Sequence, residues 1–257
     1  TAGFNPTMLF AWFWTILSSK KHISFSDANI HSERNLSIVH KYVRKIVFKY
    51  SNAFLGASEG TLDLYRSYKI PNIKLFKSCL AIDNKKFKEI NEEKEYDLMF
   101  CGQFIDRKQP FFFCELAKAI SESKPELKVL LLGNGPLKED CLIFLNQNNI
   151  NYTDPGFVQP DKLPYYFNRV RLFLFPTLMD PWGLVANEAL ASGVPILISS
   201  VAGAANELVI NGYNGFVLKH HNLESWVIKI HEIFNDYLLA EKLSLNAVKS
   251  VEEFTFR

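Results

Sequence analysis

Leu172-Phe173-Leu174-Phe175-Pro176, then Asp180-Pro181-Trp182-Gly183-Leu184-Val185-Ala186-Asn187-Glu188, then Pro195-Ile196-Leu197-Ile198-Ser199 are the pieces whose reading decides the fold. Two apolar runs of strand length flank a segment with helical spacing, which is the strand, helix, strand unit of a parallel sheet. Asp180 falls in the loop before the helix, at the sheet end where ligands bind such folds. Glu188 falls inside the helix, on one face with Leu184 and Val185 by the three- and four-residue rule. That face reads as apolar, and a carboxylate there is costly without a partner. A ligand bearing hydroxyl groups would be such a partner. Two plainer readings stand beside this one. Asp180-Pro181 also reads as an N-cap followed by a first helical proline, and Glu188 also reads as tilting to the helix edge and meeting water.

Working outward, the same alternation covers most of the chain. Strands are expected at Leu98–Cys101, Lys128–Leu132, Ile150–Thr153, Leu172–Phe175, Pro195–Ser199 and Gly215–Leu218. Helices are expected near Pro110–Glu122, Leu137–Asn146, Leu163–Phe167, Gly183–Ala191, Ala204–Val209, Leu223–Phe234 and Tyr237–Val248. Apolar strands alternating with helices imply a parallel sheet covered on both faces. The first 80 or so residues alternate similarly: a helix after Asn5-Pro6, a strand at Ile23–Ser26, a long helix from Glu33 to Lys49, a strand at Ala53–Ala57, a helix capped by Ser58 and a strand at Ile73–Phe76. Between them, Asp83–Glu95 is rich in charge and reads as a linker or exposed helix. The expected organisation is a first α/β domain over residues 1–82, a linker over 83–95 and a second, Rossmann-like domain over 96–257.

Composition narrows the function. The 257 residues carry 29 Lys and Arg against 27 Asp and Glu, a net charge of +2, so no electrostatic surface for nucleic acid is implied. Cys79, Cys101, Cys114 and Cys141 show no metal-ligand spacing and read as reduced thiols of a cytoplasmic protein. The six histidines form no zinc motif, so no metal is expected. The apolar run Met8–Leu17 is shorter than the roughly 20 residues a bilayer needs and lacks the flanks of a signal peptide. A core helix or a helix docked at a membrane surface both suit its Trp12 and Trp14. A chain opening at Thr1 reads as a fragment that lacks upstream residues.

Further candidate site elements follow the strands. Gly102-Gln103-Phe104-Ile105-Asp106-Arg107-Lys108 offers a sharp turn and two cations for a diphosphate, or simply a solvated basic loop. Gly133-Asn134-Gly135-Pro136 permits close backbone approach or is an ordinary tight turn. Asp154-Pro155-Gly156-Phe157-Val158 would rim a base-binding slot, or is a plain turn. The N–H groups of Gly183, Leu184 and Val185 at the expected helix start are free for phosphate oxygens. With Asp180 and Glu188 placed for hydroxyls, the set calls for a diphosphate flanked by two polyols, which is the shape of a nucleotide-sugar.

From Tyr96 to about Val248 this ordered series, together with Phe175-Pro176-Thr177, Glu188-Ala189-Leu190-Ala191-Ser192-Gly193-Val194-Pro195 and Gly212-Tyr213-Asn214-Gly215, resembles the retaining glycosyltransferases of family 4, the group 1 class. The resemblance implies a GT-B fold of two Rossmann-like domains, the N-terminal one incomplete here. It implies transfer of a sugar from a nucleotide-sugar to an acceptor hydroxyl with retained configuration and no metal or other cofactor. It gives Asp180 and Glu188 the places of the two acidic residues that define the family, with Asp in place of the commoner Glu. By the same resemblance Glu188 binds the ribose, Asp180 the donor sugar and Lys108 the diphosphate, while Gln103 stands where the family usually has Arg and Arg107 compensates. Gly102, Gly133, Gly135, Phe157 and Val158 would line the donor pocket. Gly3-Phe4-Asn5-Pro6 resembles a loop of the acceptor-side domain, and Asp27 or His31 stands near a position that often holds a functional His. The implied partners are the nucleotide-sugar and a glycan or lipid-linked acceptor of envelope synthesis, at the inner face of the membrane or free in the cytoplasm. A degenerate subunit that binds without turnover, and a sugar-nucleotide epimerase of the same fold, are the competing readings.

Overall fold

The structure is a computed structural model and describes residues 5–34, 36–88 and 92–255. It divides into two compact units, Thr1–Leu80 and Ala81–Arg257. The loop residues Gly3 and Phe4 fall outside the described residues.

The first unit contains α1 (Pro6–Leu17), β1 (Ile23–Ser26), α2 (Ile30–Arg34), α3 (Ile38–Lys49), β2 (Ala53–Gly56), α4 (Glu59–Ser67) and β3 (Leu75–Lys77). The strands pair in parallel, in the order β1-β2-β3. Asn5 starts α1 by accepting from the N–H of Met8 at 2.8 Å, with Pro6 as first helical residue. The single helix expected over Glu33–Lys49 is instead two. Ser37 takes extended backbone angles and its hydroxyl accepts from the N–H of His40, so the polar side chain wins over helix continuation. The break lets Glu33 of α2 fold back onto the buried Arg44 of α3 as an ion pair. The last strand begins two residues later than expected and ends one residue later, because Asn72–Lys74 forms a 3-10 turn behind Pro71. Phe48, Phe54, Leu62 and Tyr65 form the core of this unit.

The segment expected as an exposed linker begins the second unit. Ile82 bridges to Thr255, the Asn84 amide donates to the Val251 carbonyl at 2.6 Å, and Phe87 is buried against Phe167. Ile82 just before the charged run and Phe87 inside it are enough to dock the segment, and the lysines around Phe87 hid it from a composition argument.

Beyond it lie β4 (Tyr96–Cys101), α5 (Pro110–Ser121), β5 (Lys128–Leu132), α6 (Lys138–Gln147), β6 (Asn151–Gly156), α7 (Leu163–Phe167), β7 (Val170–Phe175), α8 (Leu184–Ala191), β8 (Ile196–Ser199), β9 (Gly215–Leu218), α9 (Leu223–Asn235) and α10 (Tyr237–Ser250). All six strands are parallel, in the order β6-β5-β4-β7-β8-β9. Alternate strand residues feed two cores. Leu98, Phe100 and Leu174 pack under α5, α6 and α9, and Met99, Phe173 and Phe175 pack under α7 and α8. Burial on both faces is why these strands read as unbroken apolar runs.

Ala204–Val209, expected as a helix, is a series of turns. The backbone where it would begin is committed elsewhere: the N–H groups of Gly203 and Ala204 donate to the carbonyls of Asp180 and Trp182 at 2.8 and 2.9 Å. Gly203 approaches so closely that a Cβ there would lie 1.8 Å from the Pro181 carbonyl oxygen. Replacing Gly203 with Ala is therefore expected to destabilise the second unit by about 2 kcal/mol through forced backbone movement, read from the midpoint of urea unfolding.

Candidate active site

Strand order reverses between β4 and β7, whose following helices α5 and α8 pack on opposite faces of the sheet, and the carboxyl ends of strands at such a reversal are where open α/β sheets bind ligands. The loops that follow these two strands meet there. The Arg107 carbonyl accepts from the Leu178 N–H and the Thr177 hydroxyl, both at 2.8 Å, and the Arg107 guanidinium donates to the Met179 carbonyl at 2.8 Å. This stitching brings Lys108 onto Asp180, where the ammonium bonds the carboxylate Oδ2. The same ammonium lies 4.9 Å from the centroid of the Phe175 ring, and Arg107 Nη1 stands 3.8 Å from Asp180 Oδ2. Asp180 is buried, and its Oδ1 accepts from the Trp182 N–H at 3.2 Å. Both oxygens are thus held, one by the chain's own turn and one by the facing loop.

Asp180 is not the cap of α8. The helix opens three residues later behind Gly183, which sits at φ +96° and ψ 68°, a left-handed conformation that glycine adopts without strain. Space demands glycine as well: a Cβ would lie 2.7 Å from Cε1 of Phe175. No side chain caps the helix; the Ala186 N–H donates to the Gly183 carbonyl at 2.8 Å, and among the described residues no acceptor is bonded to the N–H groups of Leu184 and Val185 at the positive end of the helix dipole.

Glu188 lies one turn in, and its face differs from the expected one. The buried residues of α8 are Ala186, Asn187, Ala189, Leu190 and Ala191, while Leu184 is exposed and Val185 and Glu188 are half-buried. Small residues rather than large ones make the buried stripe, which is why spacing alone misplaced it. Among the described residues no side chain donates to the Glu188 carboxyl, and burial pushes its pKa up to about 7. The Cys101 thiol, at the end of β4, is pushed up to about 12, mainly by burial, with the Glu188 charge adding and the Lys108 charge opposing. Glu188 and Lys108 therefore act on the same small volume at the strand ends.

The neighbouring loops close the floor by backbone bonds. Gly102 N–H donates to the Leu132 carbonyl at 2.9 Å, and Gly133 N–H to the Gly156 carbonyl at 2.8 Å. A Cβ on Gly133 would fall 1.9 Å from the Gly102 oxygen, and one on Gly135 2.6 Å from that of Phe104, so both glycines permit contact rather than merely turn the chain. Gln103 and Phe157 are exposed on these loops, and Val158 is half-buried against the core. Lys138, which sequence reading passed over, links them: its ammonium lies 2.8 Å from Asp154 Oδ1 and 3.2 Å from the Gly133 carbonyl. Thr177 is fully buried and its hydroxyl ties the two central loops, a role that its sequence neighbours do not signal. In the first unit Asp27 is half-buried beside Tyr65, whose hydroxyl pKa burial raises to about 12; His31 lies in α2, and its side chain falls outside the described residues. Among the described residues no three His, Cys, Asp or Glu side chains gather in a metal-holding group, and no helix is long and apolar enough to cross a membrane.

The family model described as glycosyl transferases group 1 matches residues 81–250. A capsular polysaccharide biosynthesis glycosyltransferase, CapM of Staphylococcus aureus, is 28% identical over 186 residues, covering 66% of this chain and 46% of that protein. The UDP-Gal:alpha-D-GlcNAc-diphosphoundecaprenol alpha-1,3-galactosyltransferase of Escherichia coli is 28% identical over 178 residues, covering 66% and 46%. The chain spans about half the length of these curated relatives. Among solved structures, Anabaena HepE in complex with UDP superposes with a TM-score of 0.83 at 15% identity, covering 95% of this chain and 71% of that one. Staphylococcus aureus TarM superposes with a TM-score of 0.77 at 15% identity, covering 91% and 47%. At such identities the likeness establishes the fold alone.

The raised Glu188 pKa has a measurable sign. A carboxyl whose folded pKa lies near 7 favours the native state while protonated and opposes it once ionised, so stability falls as pH rises from the ordinary carboxylate range through about 7. Between about pH 5 and pH 8 the wild type should lose about 2 kcal/mol relative to Glu188→Gln, read as diverging thermal midpoints.

Proposed function

The chain belongs to the group 1 glycosyl transferases and has a GT-B type of α/β fold with parallel sheets in both units, and on that premise we propose that it binds a nucleotide-sugar and transfers the sugar to an acceptor hydroxyl with retention of configuration. The observation that carries the proposal is the meeting of Lys108 with Asp180 at the strand-order reversal, one helix turn from the unpartnered Glu188.

Each group has a task that follows from its surroundings. The diphosphate of the donor competes for the Lys108 ammonium and takes the N–H groups at the start of α8, so the negative charge that grows on it as the sugar departs meets a fixed cation and a helix dipole. Asp180, freed from part of its ion pair and still held by the Trp182 N–H, accepts hydrogen bonds from the transferred sugar. Glu188 accepts from the ribose hydroxyls, and those bonds favour its ionised form. Exposed Gln103 adds an uncharged donor. The acceptor hydroxyl attacks on the face the diphosphate leaves, and a phosphate oxygen takes its proton, so the reading requires neither a protein nucleophile nor a metal. CapM and the E. coli galactosyltransferase are named for capsular and lipid-linked glycan synthesis; a glycan or lipid-linked acceptor in envelope synthesis is the matching proposal here.

The test uses the intact protein with a panel of UDP-, GDP- and ADP-sugars, following nucleotide release. One donor should be consumed, and Asp180→Ala or Glu188→Ala should each slow transfer by about 100- to 1,000-fold. Wild-type rates in both variants would overturn the assignment, and thermal stabilisation by a donor without nucleotide release would mark a binding subunit instead. Donor affinity should also weaken as pH falls below about 7, where the Glu188 carboxyl takes up its proton, and Glu188→Gln should flatten that profile. Titration of donor binding by calorimetry at several pH values reads both effects.

A further inference from the structure

We infer, resting on the donor-binding reading above, that Asn187 and Phe254 are positioning residues of the transfer reaction: together they form a strut that fixes where α8 carries Glu188 relative to the turn that carries Asp180. The two acids are held in different ways. Both carboxylate oxygens of Asp180 are bonded by protein groups, whereas no described side chain donates to Glu188. The aim of Glu188 therefore comes from the placement of its helix. That helix has 8 residues and no side-chain cap, and Ala186, Ala189 and Ala191 make up most of its buried stripe. Short side chains make few contacts with their neighbours, so apolar packing alone specifies the rotation of α8 loosely.

A directional contact from the helix removes that freedom. Asn187 is fully buried, and its Nδ2 donates to the Phe254 carbonyl at 3.0 Å. Asn187 and Glu188 are the polar side chains of α8, and successive residues of a helix point about 100° apart. Pinning Asn187 on the buried side thus turns Glu188 toward the half-exposed one. Asn187 Oδ1 is buried with no partner among the described residues, so the asparagine costs stability that an apolar residue of similar volume would spare. A residue that weakens the core while fixing a direction serves placement rather than stability.

Phe254 reaches the other acid as well. Its ring lies 6.2 Å, centroid to centroid, from that of Trp182, with the planes tilted by 31°. Trp182 is buried, and its N–H is the group that holds Asp180 Oδ1 at 3.2 Å. Phe254 therefore meets the Glu188 helix through its carbonyl and the Asp180 turn through its ring. It is itself anchored. Its N–H donates to the Val251 carbonyl at 2.9 Å, and that carbonyl also accepts from Asn84 Nδ2 at 2.6 Å. The next residue, Thr255, donates its hydroxyl to the Ile82 carbonyl and accepts from the Asn84 N–H, both at 3.2 Å.

Calorimetric titration of the intact protein with UDP, GDP and ADP, and with deoxy counterparts that lack both ribose hydroxyls, tests the strut. The wild type should prefer a ribonucleotide over its deoxy counterpart, because Glu188 takes the hydroxyls. Asn187→Leu trades one unpaired oxygen, Asn187 Oδ1, for another, the Phe254 carbonyl, so its thermal midpoint should stay within about 5 °C of wild type. It should nevertheless shrink the preference for the ribose hydroxyls about 10-fold, since a misplacement of about 1 Å costs up to about 100-fold. Affinity for the deoxy counterpart should hold. A merely structural loosening would instead lower both affinities together and leave the preference intact. Thr255→Val, which removes the anchor of Phe254 without emptying space, should shrink the preference about 3-fold, and it decides the matter if Asn187→Leu fails to fold. An unchanged preference in Asn187→Leu, or in Thr255→Val where that variant alone folds, overturns this inference and leaves the donor reading standing. A wild type that binds no nucleotide, or binds both forms equally, overturns the donor reading of Glu188 and the inference with it.

Discussion

The reversal of strand order between β4 and β7 is the constraint on which the site depends. It is a property of chain routing, and it forces two loops far apart in sequence to share one crevice. What those loops then do is set by backbone chemistry. Thr177, Leu178 and Met179 are tied to Arg107, so the neighbouring Lys108 has little choice but to face Asp180. Asp180 is held in turn by the turn it begins and by the backbone of Gly203. The Lys108–Asp180 pair is largely buried, and an ion pair of this kind gains little net energy from burial, so its place in the fold is not explained by stability.

Glu188 shows the complementary strategy. It is half-buried, takes no donor from any described residue and is pushed up to about 7 by desolvation alone. Keeping such a group costs stability, and perturbed carboxyls without internal partners concentrate at functional sites. Together the two acids differ in kind: Asp180 is already neutralised by protein, and Glu188 waits for neutralisation by something else. The glycines of the surrounding loops serve this arrangement by removing side chains where one loop presses on another, most clearly at Gly133 and Gly183.

Much of the second unit was legible because its strands are apolar on both faces and its helices begin at recognisable breaks. Lys128–Leu132, Gly215–Leu218 and Leu163–Phe167 fall where spacing put them. The failures have particular causes. Ala204–Val209 carries a helical pattern, but the N–H groups where it would begin, those of Gly203 and Ala204, are spent on the turn Asp180–Trp182, a tertiary demand that no local pattern records. The break at Ser37 was visible as a capping residue inside a long amphipathic run, and periodicity outvoted it. Phe87 was hidden by the lysines around it. Lys138 looked like any cation at a helix start until the fold placed it between Asp154 and Gly133.

The sequence alone determined the class of fold, the identity of the two acidic residues and the loop in which each cation sits, because apolar periodicity, glycine placement and the spacing of Asp180 and Glu188 are local quantities. Only the tertiary structure decided that Lys108 answers Asp180 while Glu188 is left without a partner, and that Glu188 lies on the half-exposed face of its helix. Pairing across the crevice depends on strand order, and strand order is written in long-range packing rather than in any stretch of neighbouring residues.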